Sequence, residues 1–145
     1  MTRDKLYFGH PINTYNTSLE LELLSLMPDL FPMWEIENPN QQKHQDGYKK
    51  FGEEKGNGML YFTEVVLPAC GGGVFLPFRD GKLGAGIAKE ALCLLDKDLP
   101  CWEIALKGAL AVVMDLSKDD FMEDRVLSVE ETRARLRDAE GNLSI

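Results

Sequence analysis

Apolar positions in this chain fall into short runs separated by glycine and proline breaks, and the period of each run predicts its element. Leu6, Tyr7 and Phe8 form a first strand over residues 5–9 that stops at Gly9, and Pro11 marks the loop beyond it. Asn16, Thr17 or Ser18 can cap a helix carrying Leu19, Leu23, Leu26 and Met27, which is expected to stop near Pro28 because proline lacks the N–H. Residues 33–37 alternate as a strand and end at Asn38-Pro39. The next twenty residues, 40–59, are polar and hold Gly47, Gly52, Gly56 and Gly58; they predict a long functional or mobile loop, with a short helix around 48–54. Residues 60–67 read as helix or strand, with helix favoured because a strand follows at Val74.

Residues 74–78 (Val-Phe-Leu-Pro-Phe) predict a buried strand, followed by a loop with Gly81, Gly84 and Gly86 and then a helix over 87–95. At about 100° per residue, Ile87, Ala88, Ala91, Leu92, Leu94 and Leu95 fill one arc of that helix. Glu90 lies at the arc's edge, which aims its carboxylate along the rim of the buried face. Residues 100–106 predict a further strand, and 109–116 a strand or a short helix. Ser128-Val-Glu-Glu131 is a capping box opening a helix through Arg137, with Arg133, Arg135 and Arg137 mostly solvated; residues 138–145 have little periodic signal.

Strands alternating with helices predict an α/β domain with a mostly parallel sheet, Rossmann-like in the flavodoxin manner, spanning residues 1–145 as a single domain. Right-handed crossovers then put the loops after Phe8 and Phe78 on the same sheet edge, with a helix N-terminus beside them, where α/β proteins bind ligands.

Composition narrows the chemistry. A hydrophobic share of 44% with 28% charged residues is that of a folded globular chain, and a net charge of −8 argues against a nucleic-acid polymer as main partner. The three cysteines, Cys70, Cys93 and Cys101, form no CxxC pair, and His10 and His44 are the only histidines, so no metal site is expected. Buried free thiols, a start at Met1 that leads into no signal-like run, and the absence of a membrane-length apolar stretch predict a cytoplasmic protein without a membrane partner.

The first strand, Lys5-Leu-Tyr-Phe-Gly9, and the glycine-to-glutamate spacing of Gly86-Ile-Ala-Lys-Glu90 resemble the nucleoside 2-deoxyribosyltransferase family. That resemblance covers the two strand-loop-helix units and implies an enzyme that cleaves or transfers the N-glycosidic bond of a (2-deoxy)nucleoside or its 5′-monophosphate, as transferase or hydrolase, without a cofactor. It implies Glu90 as the nucleophile at C1′ and Tyr7 as the residue orienting its carboxylate. It also implies a homo-oligomer whose sites are finished by a neighbour's C-terminal region. Two departures stand out: residues 69–73 are Ala-Cys-Gly-Gly-Gly where the family has an Asp, and Asp80, the candidate to protonate the leaving base, lies six residues ahead of Gly86.

Around that centre, the backbone N–H groups of Gly84 and Gly86, with His10 or Arg79, are candidates to hold a 5′-hydroxyl or 5′-phosphate, and Gly9 borders the same loop. Each residue also has a structural reading. Glu90 suits the dipole of a helix start, Tyr7 a core, Asp80-Gly81 a turn, and His10 a loop. A nucleotide-binding module of the same fold without turnover is the alternative function.

Overall fold

The computed structural model describes residues 4–108 and 110–137, so the expectations placed on Met1 and on residues 138–145 lie outside the described residues. Four strands run parallel: β1 (Asp4–Gly9), β2 (Trp34–Glu37), β3 (Gly72–Phe75) and β4 (Cys101–Lys107); β5 (Leu110–Asp115) returns antiparallel to β4. Their order across the sheet is β2-β1-β3-β4-β5, the flavodoxin-like winding, with its topological switch between β1 and β3. A turn at Gly108, with φ 65°, joins β4 to β5.

The period-2 alternation of the strands sorts the core into two sheets of side chains. Leu6 and Phe8 of β1 and Val74 of β3 face Leu23 and Met27 of helix α1 (Ser18–Leu30). Tyr7 and Phe75 face the other way, toward Ile87, Ala88, Ala91 and Leu94 of helix α4 (Ala85–Leu95). Trp34 and Trp102 meet edge-on at 5.9 Å at the margin of the α1 side. Close packing explains the glycines that open β3: a Cβ on Gly72 would stand 2.7 Å from the Pro100 carbonyl oxygen.

Helix α1 and the stretch 40–59 differ from the sequence reading, while the helix favoured over 60–67 is present in irregular form. Helix α1 runs past Pro28 to Leu30, with Pro28 exposed in its last turn. The stretch 40–59 is largely helix α2 (Gln42–Lys55), ended by Gly56 in the left-handed conformation at φ 77°. A second, irregular helical piece follows: α3 (Met59–Tyr61), a π-helical stretch (Phe62–Val66) and a 3-10 turn (Leu67–Ala69). Glycine within α2 hid its full extent. A Cβ on Gly47 would sit 2.3 Å from the Tyr61 ring, so this glycine serves helix packing and not a turn. The C-terminal helix α5 (Val129–Arg137) opens with the expected capping box, Ser128 Oγ accepting from Glu131 N–H and Glu131 Oε1 accepting from Ser128 N–H.

All three cysteines are free thiols; burial lifts Cys70 to about 11 and Cys101 to about 12. Among the described residues no helix is long and apolar enough to cross a membrane, and no cluster of side chains is arranged to hold a metal ion.

Candidate functional site

The carboxyl ends of β1 and β3 open onto a cavity of about 400 Å³. Its floor is Tyr7 from β1 and Gly84, Gly86, Ile87 and Glu90 from the start of α4. His10, Pro11, Ile12 and Tyr15 of the loop after β1 form one wall, and His44, Gln45, Tyr48 and Phe62 from α2 and the piece after it form another. Thr132 and Leu136 of α5 close the top.

At the base of the cavity Tyr7 donates its hydroxyl to Glu90 Oε2 at 2.7 Å, and both side chains are buried. The two residues are 83 positions apart in the chain and meet because β1 and β3 are neighbours at the switch point. Burial lifts the Glu90 carboxyl to about 7, although the Tyr7 hydrogen bond pulls it down. Burial, together with the Glu90 charge and hydrogen bond, pushes the Tyr7 phenol well above its ordinary value. Tyr7 therefore keeps its proton and donates, while Glu90 is close to half-ionised at neutral pH.

Three further polar groups on the walls are already engaged. Phe8 O can only accept, so the 2.9 Å contact fixes a proton on His10 Nδ1, and Nε2 lies 2.7 Å from Glu20 Oε2. Burial pushes the His10 imidazole down, opposed by Glu20 and by the Phe8 carbonyl. The ring stacks on Phe8 at 4.0 Å and leans on Tyr15 at 4.8 Å, which stiffens the loop. His44 is bound on both sides, Nε2 to Glu37 Oε1 at 2.6 Å and Nδ1 to the Tyr61 hydroxyl at 2.7 Å. Burial alone would raise the Glu37 carboxyl, but His44 and Lys43 overcome it and hold it below the ordinary range. Thr132 Oγ1 accepts from Ala85 N–H at 2.9 Å and donates to Ser128 O at 2.8 Å, supplying α4 with the cap that Gly84 cannot. Among the described residues the hydroxyls of Tyr15 and Tyr48 and Glu90 Oε1 remain to address a ligand, while Gln45 Nε2 donates to Asn40 Oδ1 at 3.4 Å. Burial, then the charges of Glu90 and Glu20, push the Tyr15 phenol up as well.

Comparison with family models, with curated proteins and with solved structures finds no match to this chain.

Of the residues singled out in the sequence, Glu90, Tyr7, His10, Gly84 and Gly86 line one cavity. Three do not. Asp80 is half-exposed and joined to Arg135 by two hydrogen bonds, of 2.9 and 2.7 Å; that bond first, and the charge with it, hold its carboxyl below the ordinary range, so it is a poor proton donor and does not line the cavity. Arg79 is exposed and faces a separate groove beside Lys107 and Met114. Gly9 is buried beneath the Phe75 ring, 2.5 Å from where its Cβ would stand, which makes it a packing residue.

Arg135 is correspondingly not a solvated side chain: besides Asp80 it lies over the Phe78 ring at 5.1 Å. The sequence reading missed Tyr15, His44, Tyr48, Phe62, Thr132 and Leu136. The last two are four residues apart on one face of α5, a spacing open to inspection. His44 had no local signal, since its partner Glu37 belongs to the preceding strand.

Proposed function

We propose that this chain cleaves or transfers the N-glycosidic bond of a (2-deoxy)nucleoside, with Glu90 as the nucleophile. The observation that carries this reading is a buried carboxylate on a cavity floor, steadied by a tyrosine hydroxyl at 2.7 Å. One Glu90 oxygen attacks C1′ as the C1′–N bond breaks, and the base leaves with the bonding electrons and takes a proton from solvent. The glycosyl ester on Glu90 is then opened by a second base or by water. Positive charge gathers on C1′ in the transition state, and a desolvated carboxylate stabilises it more than one in water would. Tyr7 keeps the reacting oxygen pair in place and is a positioning residue.

Among the described residues no lysine or arginine lines the cavity, which favours an unphosphorylated nucleoside over a 5′-monophosphate. The walls offer Tyr48, Phe62 and Phe78 to an aromatic base. Release of free base from deoxynucleosides and from their 5′-monophosphates, followed by chromatography, tests the proposal. Glu90→Ala is expected to lower turnover by on the order of 10³-fold or more, and intact-mass analysis to show a glycosyl adduct on the wild type alone. Unchanged base release in Glu90→Ala would remove the nucleophile and the proposal with it.

The withdrawal of Asp80 from the cavity favours one alternative, a nucleoside-binding module without turnover. Calorimetric binding of a nucleoside with no base released marks that outcome.

A further inference from the structure

The two edges of the sheet are protected very differently. β2 is four residues long and carries Glu35 and Glu37, with Lys5 and Lys43 reaching Glu37. β5 is six residues, Leu-Ala-Val-Val-Met-Asp, with no proline and no charge before Asp115. Its pairing with β4 is continuous from Trp102↔Asp115 to Lys107↔Leu110, so no bulge turns the edge away. Leu110, Val112 and Met114 share one face and are 71%, 36% and 54% exposed. Short strands, inward charges, prolines and bulges are the usual guards against edge-to-edge pairing; β5 has none of them.

We propose that two copies of this chain pair through β5, antiparallel about a two-fold axis at Val112, so that their sheets become one. Self-complementarity names the occupant. About that axis Val112 opposes Val112, Leu110 opposes Met114 and Ala111 opposes Val113, so every opposed pair is apolar on both faces of the joined sheet. Charge sets the direction. Lys107 lies just ahead of the strand and Asp115 closes it; both are exposed, and neither has an ion-pair partner among the described residues. Antiparallel pairing brings the Asp115 end of one copy to the Lys107 end of the other. Parallel pairing would set like charges together. The closed two-fold arrangement uses the same edge on both copies and leaves only the guarded β2 edges at the ends of the joined sheet.

A contact of this size is smaller than the ~1,600 Å² of a standard interface, so the dimer depends on concentration. Sedimentation velocity on the full chain up to roughly 100 μM is expected to show monomer passing to dimer. Val112→Lys is expected to weaken the dimer at least tenfold. Lys107→Asp weakens it as well, and adding Asp115→Lys to that variant restores it, which loss of folding could not mimic. In a Cys93→Ser background, Val112→Cys is expected to form a disulfide-linked dimer on oxidation, whereas Ala111→Cys, which opposes Val113, is not. A monomer at every concentration overturns the proposal. So does a dimer whose affinity ignores these substitutions and that gives no cross-link at 112.

Discussion

Replacing Glu90 with glutamine separates the charge of this side chain from its shape. Glutamine still accepts the Tyr7 hydrogen bond but no longer titrates. The wild-type carboxyl titrates at about 7 when folded, against an ordinary 4.5. Below 4.5 both side chains are neutral and the two proteins differ little. Between 4.5 and 7 the unfolded chain gives up its proton while the folded chain retains it, so wild-type stability falls as pH rises. Above 7 the loss is complete. At about 1.4 kcal/mol for each pH unit between the two values, the wild type ends about 3 kcal/mol below Glu90→Gln, or roughly 10 °C in Tm for a chain of this length. Urea unfolding between pH 5 and 8.5, followed by the fluorescence of Trp34 and Trp102, measures the difference. Under the proposed chemistry, wild-type turnover rises over the same pH window while Glu90→Gln stays inactive. Two stability curves that run parallel from pH 5 to 8.5 would refute the argument, because a carboxyl free of desolvation has no such window.

Four other substitutions probe the surroundings. Tyr7→Phe removes the hydrogen bond that lowers the Glu90 carboxyl, so the alkaline rise of activity moves to higher pH and stability at pH 8 drops by about 2 kcal/mol; pH-rate and urea curves measure both. Glu37→Gln loosens the tie between β2 and α2, and amide exchange within α2 should quicken roughly tenfold while β1 and β3 stay protected. Because the Glu37 carboxyl is held below 4.5, the wild-type tie is present at neutral pH and fails as pH falls through that lower value, which acid-range exchange detects. Gly9→Ala meets the Phe75 ring at 2.5 Å and should cost about 1–3 kcal/mol in urea unfolding. Thr132→Val leaves Ala85 N–H uncapped at a cost of about 1 kcal/mol, with α5 cut more readily in limited proteolysis.

How much of this was legible in the sequence follows from how local each signal is. Leu6, Tyr7 and Phe8 declare a strand on their own, and the run from Val74 through Gly86 to Leu95 declares strand, loop and helix. Parallel neighbours then force the two loops onto one edge, whereas the pairing of Tyr7 with Glu90 was implied by the family resemblance and not by these runs. Helix α2 was legible only as a short piece around 48–54, because Gly47 looks like a breaker when the Tyr61 ring it makes room for lies 14 residues further on. Asp80 failed for a similar reason. Its partner Arg135 is 55 residues away, and nothing near position 80 announces it. The C-terminal cover of the cavity was invisible except as the Thr132 and Leu136 spacing, which the arginines beside it overshadowed.

The borrowed cap on α4 bears on how the protein is made. The N–H of Ala85 waits for a hydroxyl that follows 47 residues later, so a nascent chain leaving the ribosome carries Glu90 on a helix whose leading end is still open to water. The hollow over Glu90 gains the Thr132 and Leu136 side of its lining only when α5 emerges, and chains that stop short of Thr132 lack it.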